Sequence, residues 1–374
     1  MKQERERILK MVEGGKLTVE EALTLLELLE KDGTTEKLES ELSTTAKMEE
    51  SQFKHESEKK DESYYKFQSA KEKIFEFVDT AFKKLKDIDI DFNFGKSIEM
   101  AHIFQQASAD FTDMDIHVAN GSVKLIPWDQ PDVRVECQAK IYRVETLEEA
   151  RTTFLNGVIF SIENNRLTLQ TQHKWMKVDA KVYIPHADYH KVRVRLYNGP
   201  IAAENLNVND MKLDTANGRI TLEGVKGHKV DVETANGKIE VKNSYLEEFE
   251  AETINGAIKF EGDIQRGELH SFNGNILCAV KGPACEKISL KATTGNIELF
   301  VPAEVAVSGE LKTNLGNFDV NLKGIQISHE KSEMVQKQLK FQTVQQMEKV
   351  LQVISETKTG SIKIKPAEKD EVYF

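Results

Sequence analysis

Cysteine is scarce in this chain: Cys137, Cys278 and Cys285 are the only three in 374 residues. Three thiols build no disulfide framework, and their spacing matches no metal motif. Proline is scarce too, at seven residues, which leaves no room for Pro-rich spacers. No run of about 18 apolar residues occurs, so no membrane-spanning helix is expected. Met1 to Arg7 alternates charges and lacks the apolar core of a Sec signal peptide, so a cytoplasmic protein is expected. An excess of positive charge is missing as well. The formal net charge is −11, which argues against nucleic-acid binding. His-Glu-x-x-His, Gly-x-Ser-x-Gly, P-loop and Cys-x-x-Cys patterns are all absent. His186 and His190 stand four apart, but they follow Pro185 and precede an alternating strand, so a turn is expected there rather than a metal pair. No catalytic residue, cofactor site or metal site is therefore assigned.

Apolar residues make up 39% and charged residues 30%, an ordinary balance for a soluble chain. The length suggests two or three packed units. Residues 1–33 read as a helical hairpin. Gly14-Gly15 ends the first helix, Thr18 with Glu21 caps the second, and Ala22, Leu25, Leu26 and Leu29 form its apolar stripe. So short a hairpin has too little core to stand alone, so Leu25, Leu26 and Leu29 are expected to bury against a protein partner or a second copy. Residues 34–63 carry nine acidic and five basic side chains and read as a polar linker.

Residues 64–110 are expected to hold a basic amphipathic helix and a connector. Phe67, Ile74, Phe77 and Val78 recur at helical spacing, flanked by lysines that include Lys71, Lys83 and Lys84. Six lysines against three acids over 64–86 suit an anionic membrane surface. The simpler reading is a helix laying its stripe on the neighbouring domain.

From 111 to 365 the chain repeats. Thr-Ala-Asn217-Gly218-Arg-Ile220 recurs as Thr-Ala-Asn236-Gly237-Lys-Ile239, Thr-Ile-Asn255-Gly256-Ala-Ile258 and Ser-Phe-Asn273-Gly274-Asn-Ile276. Successive glycines lie 18 to 21 residues apart, and apolar residues alternate on both sides of each one. Two architectures fit. Asn-Gly between alternating strands is the signal for a β-hairpin. The same unit can also be one coil of a β-solenoid, with its glycine at a corner that needs positive φ. A hairpin sheet has no need for identical residue columns, so the columns favour a mainly β protein built as a β-solenoid of ~19-residue coils. A short helix is expected over 145–154. A second helix, through Val335, Leu339, Val344, Met347, Val350, Leu351 and Ile354, is expected as an insertion over 328–358. Residues 366–374 read as a tail.

These Asn-Gly-x-Ile-x-Val coils, with Val-Tyr-Ile-Pro185 leading into Val192-Arg-Val194, resemble the adhesin-like family of bacterial β-helical repeat domains. Residues 8–26 resemble the SHOCT-like helical module that precedes such domains in Firmicutes. The whole order, with Asp91-Phe-Asn-Phe-Gly95-Lys, resembles envelope-stress proteins of the YvlB and LiaX type. The resemblance implies a role in sensing or buffering cell-envelope stress, and surface exposure without a signal peptide in some members. It carries over no catalytic residue.

One outward column stands out. If the coils stack, Asp231, Glu233, Glu250, Glu252 and Glu268 share one face. That array suits a cationic partner such as an antimicrobial peptide. The simpler reading is a solvated face, partly compensated by Lys238, Lys242 and Lys259. A non-enzymatic scaffold or sensor is therefore expected. A surface adhesin for glycan or wall polymer and a carbohydrate-active β-helix enzyme are the alternatives, and the near absence of aromatics on the outward columns counts against sugar binding.

Overall fold

The computed structural model describes residues 96–333, 336–344 and 350–367. The hairpin over 1–33, the linker over 34–63 and the basic helix lie outside the described residues. So do Leu25, Leu26, Leu29, Phe67, Lys71, Ile74, Phe77, Val78, Lys83 and Lys84.

The described chain opens with β1 (Ser97–Gln106), β2 (Asp113–Trp128) and β3 (Val133–Tyr142). Helix α1 (Leu147–Gly157) follows, then β4 (Val158–Glu163), β5 (Arg166–Thr171) and β6 (Met176–Pro185). The short helix expected near 145–154 is α1. Its start is set by a capping box, in which the Thr146 side chain accepts from the Glu149 amide and Glu149 reaches back.

The regular coils run through β7 (Asp188–Asn198), β8 (Ile201–Glu204), β9 (Asn207–Asn217), β10 (Ile220–Glu223) and β11 (Lys226–Asn236). They continue in β12 (Ile239–Asn255), β13 (Ile258–Asn273), β14 (Ile276–Val280), β15 (Lys287–Thr294) and β16 (Ile297–Pro302). The chain then forms β17 (Ala306–Leu315), β18 (Phe318–Val320), β19 (Ile325–Ser332), β20 (Lys337–Thr343), β21 (Val350–Thr359) and β22 (Ile362–Ala367).

The coils stack in parallel and in register. Ile220 pairs with Ile201 on one side and Ile239 on the other, and Ile239 pairs onward with Ile258. This is the solenoid, not the hairpin sheet: the segments that flank Gly237, residues 226–236 and 239–242, each pair in parallel with neighbouring coils rather than antiparallel with each other. Ile220, Ile239, Ile258, Leu222, Val241 and Phe260 are all fully buried. Each such side chain contributes about 1.5–3 kcal/mol through removal from water.

Two polar ladders follow the corners. Asn217, Asn236 and Asn255 each donate a side-chain amide to the asparagine of the preceding coil at 2.8 Å. The hydroxyls of Thr215, Thr234 and Thr253 donate to the Gly199, Gly218 and Gly237 carbonyls at 3.0–3.1 Å. The Asn-Gly and Thr columns are therefore a hydrogen-bonding device of the stack.

The corner glycines meet two demands, the expected positive φ at some corners and close approach of a neighbouring coil at others. Of these, Gly121, Gly199, Gly295 and Gly360 have positive φ, between 129° and 147°. At Gly237 the constraint is instead close approach, since a Cβ there would lie 1.9 Å from the Gly218 carbonyl oxygen.

Among the described residues of 328–358 the expected helix is replaced by strands, and Val335 and Met347 lie outside the described residues. That stretch contains the antiparallel pair β19–β20 and the strand β21, and β20 also pairs antiparallel with β17. Leu339 and Phe341 alternate inward, as do Leu351, Val353, Ser355 and Thr357. Period-2 burial took precedence over the helical spacing of Leu339, Leu351 and Ile354. The connector over 64–110 likewise holds a strand, β1, paired antiparallel with β3.

Coil order departs from chain order at both ends. β2 is sandwiched between β5–β6 and β7–β8. β21–β22 is sandwiched between β15–β16 and β17–β18.

A charged face and the family of the chain

The strands β9, β11, β12 and β13 bring the five expected carboxylates together. Asp231 pairs in register with Glu250, and Glu250 with Glu268; Glu233 pairs with Glu252, and Glu252 with His270. In-register neighbours lie about 4.8 Å apart, well inside a Debye length of about 8 Å at physiological salt. Their fields therefore add.

The array is partly neutralised from within. Lys212 Nζ donates to Asp231 at 2.9 Å and to Glu233 at 2.7 Å, and lies 3.6 Å from Asp214. Arg195 donates to Asp214 at 3.3 Å. His270 Nδ1 lies 3.3 Å from Glu252 Oε1. The expected compensation came from Lys238, Lys242 and Lys259, but Lys238 is engaged with Glu240 at 2.7 Å. Lys212, Asp214 and His270 are the site residues that sequence reasoning passed over. They stand in the same two columns, and the signal available was their place there. At the far side of the array Glu250 feels the charge of His270 and Glu268 that of Lys291.

Burial sets the electrostatics. Asp214 and Glu252 are each 5% exposed and His270 is 6% exposed. Burial pushes the Glu233 carboxyl up to about 7, against the opposing pull of Lys212. Asp214 is raised for the same reason, partly offset by Lys212 and Arg195. Glu250 is raised by desolvation and then by the charges of Glu252 and Asp231. Burial alone would lower Lys212, but its three carboxylate neighbours hold it above the ordinary lysine value. Lys212 offsets only part of the burial that raises Asp214 and Glu233.

The other candidate groups do not converge. His190 lies 3.3 Å from Asp113 and His186 lies 3.5 Å from Asp129, so the two histidines meet different carboxylates. Burial pushes the Cys137 and Cys285 thiols up to about 12, and raises Cys278 as well. Among the described residues no group of three or more His, Cys, Asp or Glu side chains is arranged to hold a metal ion. No described helix is long and apolar enough to cross a membrane.

The repeat region, residues 111–365, matches the Toastrack DUF4097 family over its whole extent. The chain belongs to the Toastrack family. Residues 3–34 match the SHOCT-like domain, so the Toastrack coils follow a SHOCT-like module along the chain. The chain is 48% identical over 369 residues to the uncharacterised protein YvlB of Bacillus subtilis (strain 168), covering 98% of this chain and 99% of that protein. Among solved structures, an adhesin-like protein from Bacteroides fragilis NCTC 9343 is 12% identical, with 71% of this chain and 97% of that chain covered and a TM-score of 0.37. An adhesin-like protein from Parabacteroides distasonis ATCC 8503 is also 12% identical, with 72% and 97% covered and a TM-score of 0.38.

Proposed function

We propose that this Toastrack protein is a non-enzymatic scaffold and sensor of cell-envelope stress that offers the charged face of its coils to a cationic partner, an antimicrobial peptide in the first instance. The observation that carries the reading is the stacked array itself: Asp231, Glu250 and Glu268 in one column and Glu233 and Glu252 in the next, beside a cluster in which one lysine, Lys212, serves three acids. Along this face ionisable groups pair from coil to coil in extended columns, which suits recognition of an extended charged partner. Single exposed ion pairs are worth only about 0–1 kcal/mol, so affinity comes from the array as a whole. The SHOCT-like module supplies a second contact, to a protein partner or another copy, through Leu25, Leu26 and Leu29. The lysines around Phe67 and Phe77 supply a third, to an anionic membrane surface, with the chain otherwise cytoplasmic.

The test is a titration of a cationic antimicrobial peptide against the full chain and against a variant with Asp231→Asn, Glu233→Gln, Glu250→Gln, Glu252→Gln and Glu268→Gln. Binding is expected to fall roughly tenfold or more in the variant and to weaken with salt in the parent. Equal binding by both proteins would remove the face from the mechanism.

A further inference from the structure

The two end coils that sit out of chain order share a charge pattern. Glu356 of β21 pairs in register with Lys291 on one side and Lys312 on the other. Lys363 of β22 pairs with Glu298 on one side and Asp319 on the other. Lys365 adds a 2.7 Å ion pair to Glu298. At the opposite end, Asp113 of β2 stands between Arg166 and Lys191. Lys124 of the same strand breaks the pattern, since it pairs in register with Lys181, but it finds Glu204 at 2.6 Å.

Removing the C-terminal coil would bring its neighbours together with like charges opposed: Lys291 on Lys312, and Glu298 on Asp319. Nothing in the repeat length forbids that arrangement. Gly295 and Gly316 are 21 residues apart, the same as Gly274 and Gly295, whose coils do stack directly. Charge therefore discriminates between the two orders where repeat length does not. The contrast with Asp231, Glu250 and Glu268 is informative, because a like-charged column is tolerated where coils follow one another in the chain.

The core of the inserted coil, in which Leu351, Val353, Ile362 and Ile364 are fully buried, has one weak point. Ser355 occupies the inward column between Leu290 and Leu311, is 1% exposed, and its hydroxyl has no hydrogen-bond partner. A serine there forfeits apolar contact and leaves a buried hydroxyl unsatisfied.

We propose that the C-terminal coil, β21–β22, is a displaceable wedge: opposite charges seat it between its neighbours, and its withdrawal lets β17–β18 stack directly on β15–β16. This is a two-state element whose balance responds to ionic strength, and it stands independently of what the charged face binds.

A cysteine pair at Lys287 and Ser308 reads the two states. Both positions pair with Gln352, so they lie two strand spacings apart with the coil seated and one spacing, about 4.8 Å, with it withdrawn. The disulfide is expected to form poorly at low salt and to increase roughly tenfold at high salt or with Glu356→Lys. Adding Lys291→Glu and Lys312→Glu to Glu356→Lys should return it to the starting level. Amide hydrogen exchange on the unsubstituted protein provides a second measurement if Glu356→Lys fails to fold. There, β21 and β22 should exchange roughly tenfold faster than β11, and the gap should widen with salt. A disulfide yield indifferent to salt and to Glu356→Lys, or protection of β21 and β22 equal to that of β11 at all salt concentrations, would overturn the proposal.

Discussion

Gly237 and Ile239 show how much of the stack rests on single side chains. A methyl at Gly237 meets the Gly218 carbonyl oxygen, so Gly237→Ala must push two coils apart and is expected to cost about 2–4 kcal/mol. Ile239→Asp places an unpaired carboxylate in a fully buried column and should cost several kcal/mol or prevent folding, as read from the denaturation midpoint. Glu233 makes a prediction in pH. Its carboxyl is raised from 4.5 to about 7 in the folded protein, so the native state holds a proton that the unfolded chain has released. That contribution to stability is complete below about pH 4.5 and is lost as pH rises through about 7. Glu233→Gln should flatten this part of the stability profile and raise stability at pH 8 by about 1–2 kcal/mol. Thermal midpoints measured from pH 4 to pH 8 check it, and a parent profile that rises across the window would contradict it. These residues were legible in the sequence because they recur. The reason for Gly237 was not, since close approach to a neighbouring carbonyl is a property of the stack and leaves no mark on one repeat.

The asparagine ladder belongs to the corners taken together. Asn236 donates to Asn217 and accepts from Asn255, so Asn236→Ala breaks two bonds at once. A loss of about 1–2 kcal/mol is expected, measured against a parent unfolded under the same conditions. The strands were read correctly where the Asn-Gly motif, with its Thr or Ser three residues ahead, recurs. Over 328–358 the glycine of the coil, Gly360, lies beyond the stretch and follows Thr359 rather than Asn, so the motif did not mark the strand. Leu339, Leu351 and Ile354 then gave a helical spacing by coincidence. The short helix was legible because Thr146 and Glu149 carry their own capping signal.

Order along the stack is what the repeat conceals. A period near 19 says that coils stack, but it does not say which coil lies next to which. Both chain-end coils sit one place in from the end of the stack, and antiparallel strands cover the outermost coils: β3 and β4 at one end, β20 at the other. The five carboxylates of the charged face were legible because they fall in coils that do follow chain order. Their neutralisation by Lys212 was not, because it depends on how one lysine side chain lies against the adjacent strand, between Asp231 and Glu233. All of this rests on parallel, in-register stacking, and a pair of double-cysteine proteins tests that directly. Glu240 and Lys259 are register partners in adjacent coils, so Glu240→Cys with Lys259→Cys should form a disulfide readily. Glu233→Cys with Glu240→Cys, which a hairpin around Asn236-Gly237 would place opposite each other, should not. Rapid disulfide formation in the second protein and none in the first would contradict the account.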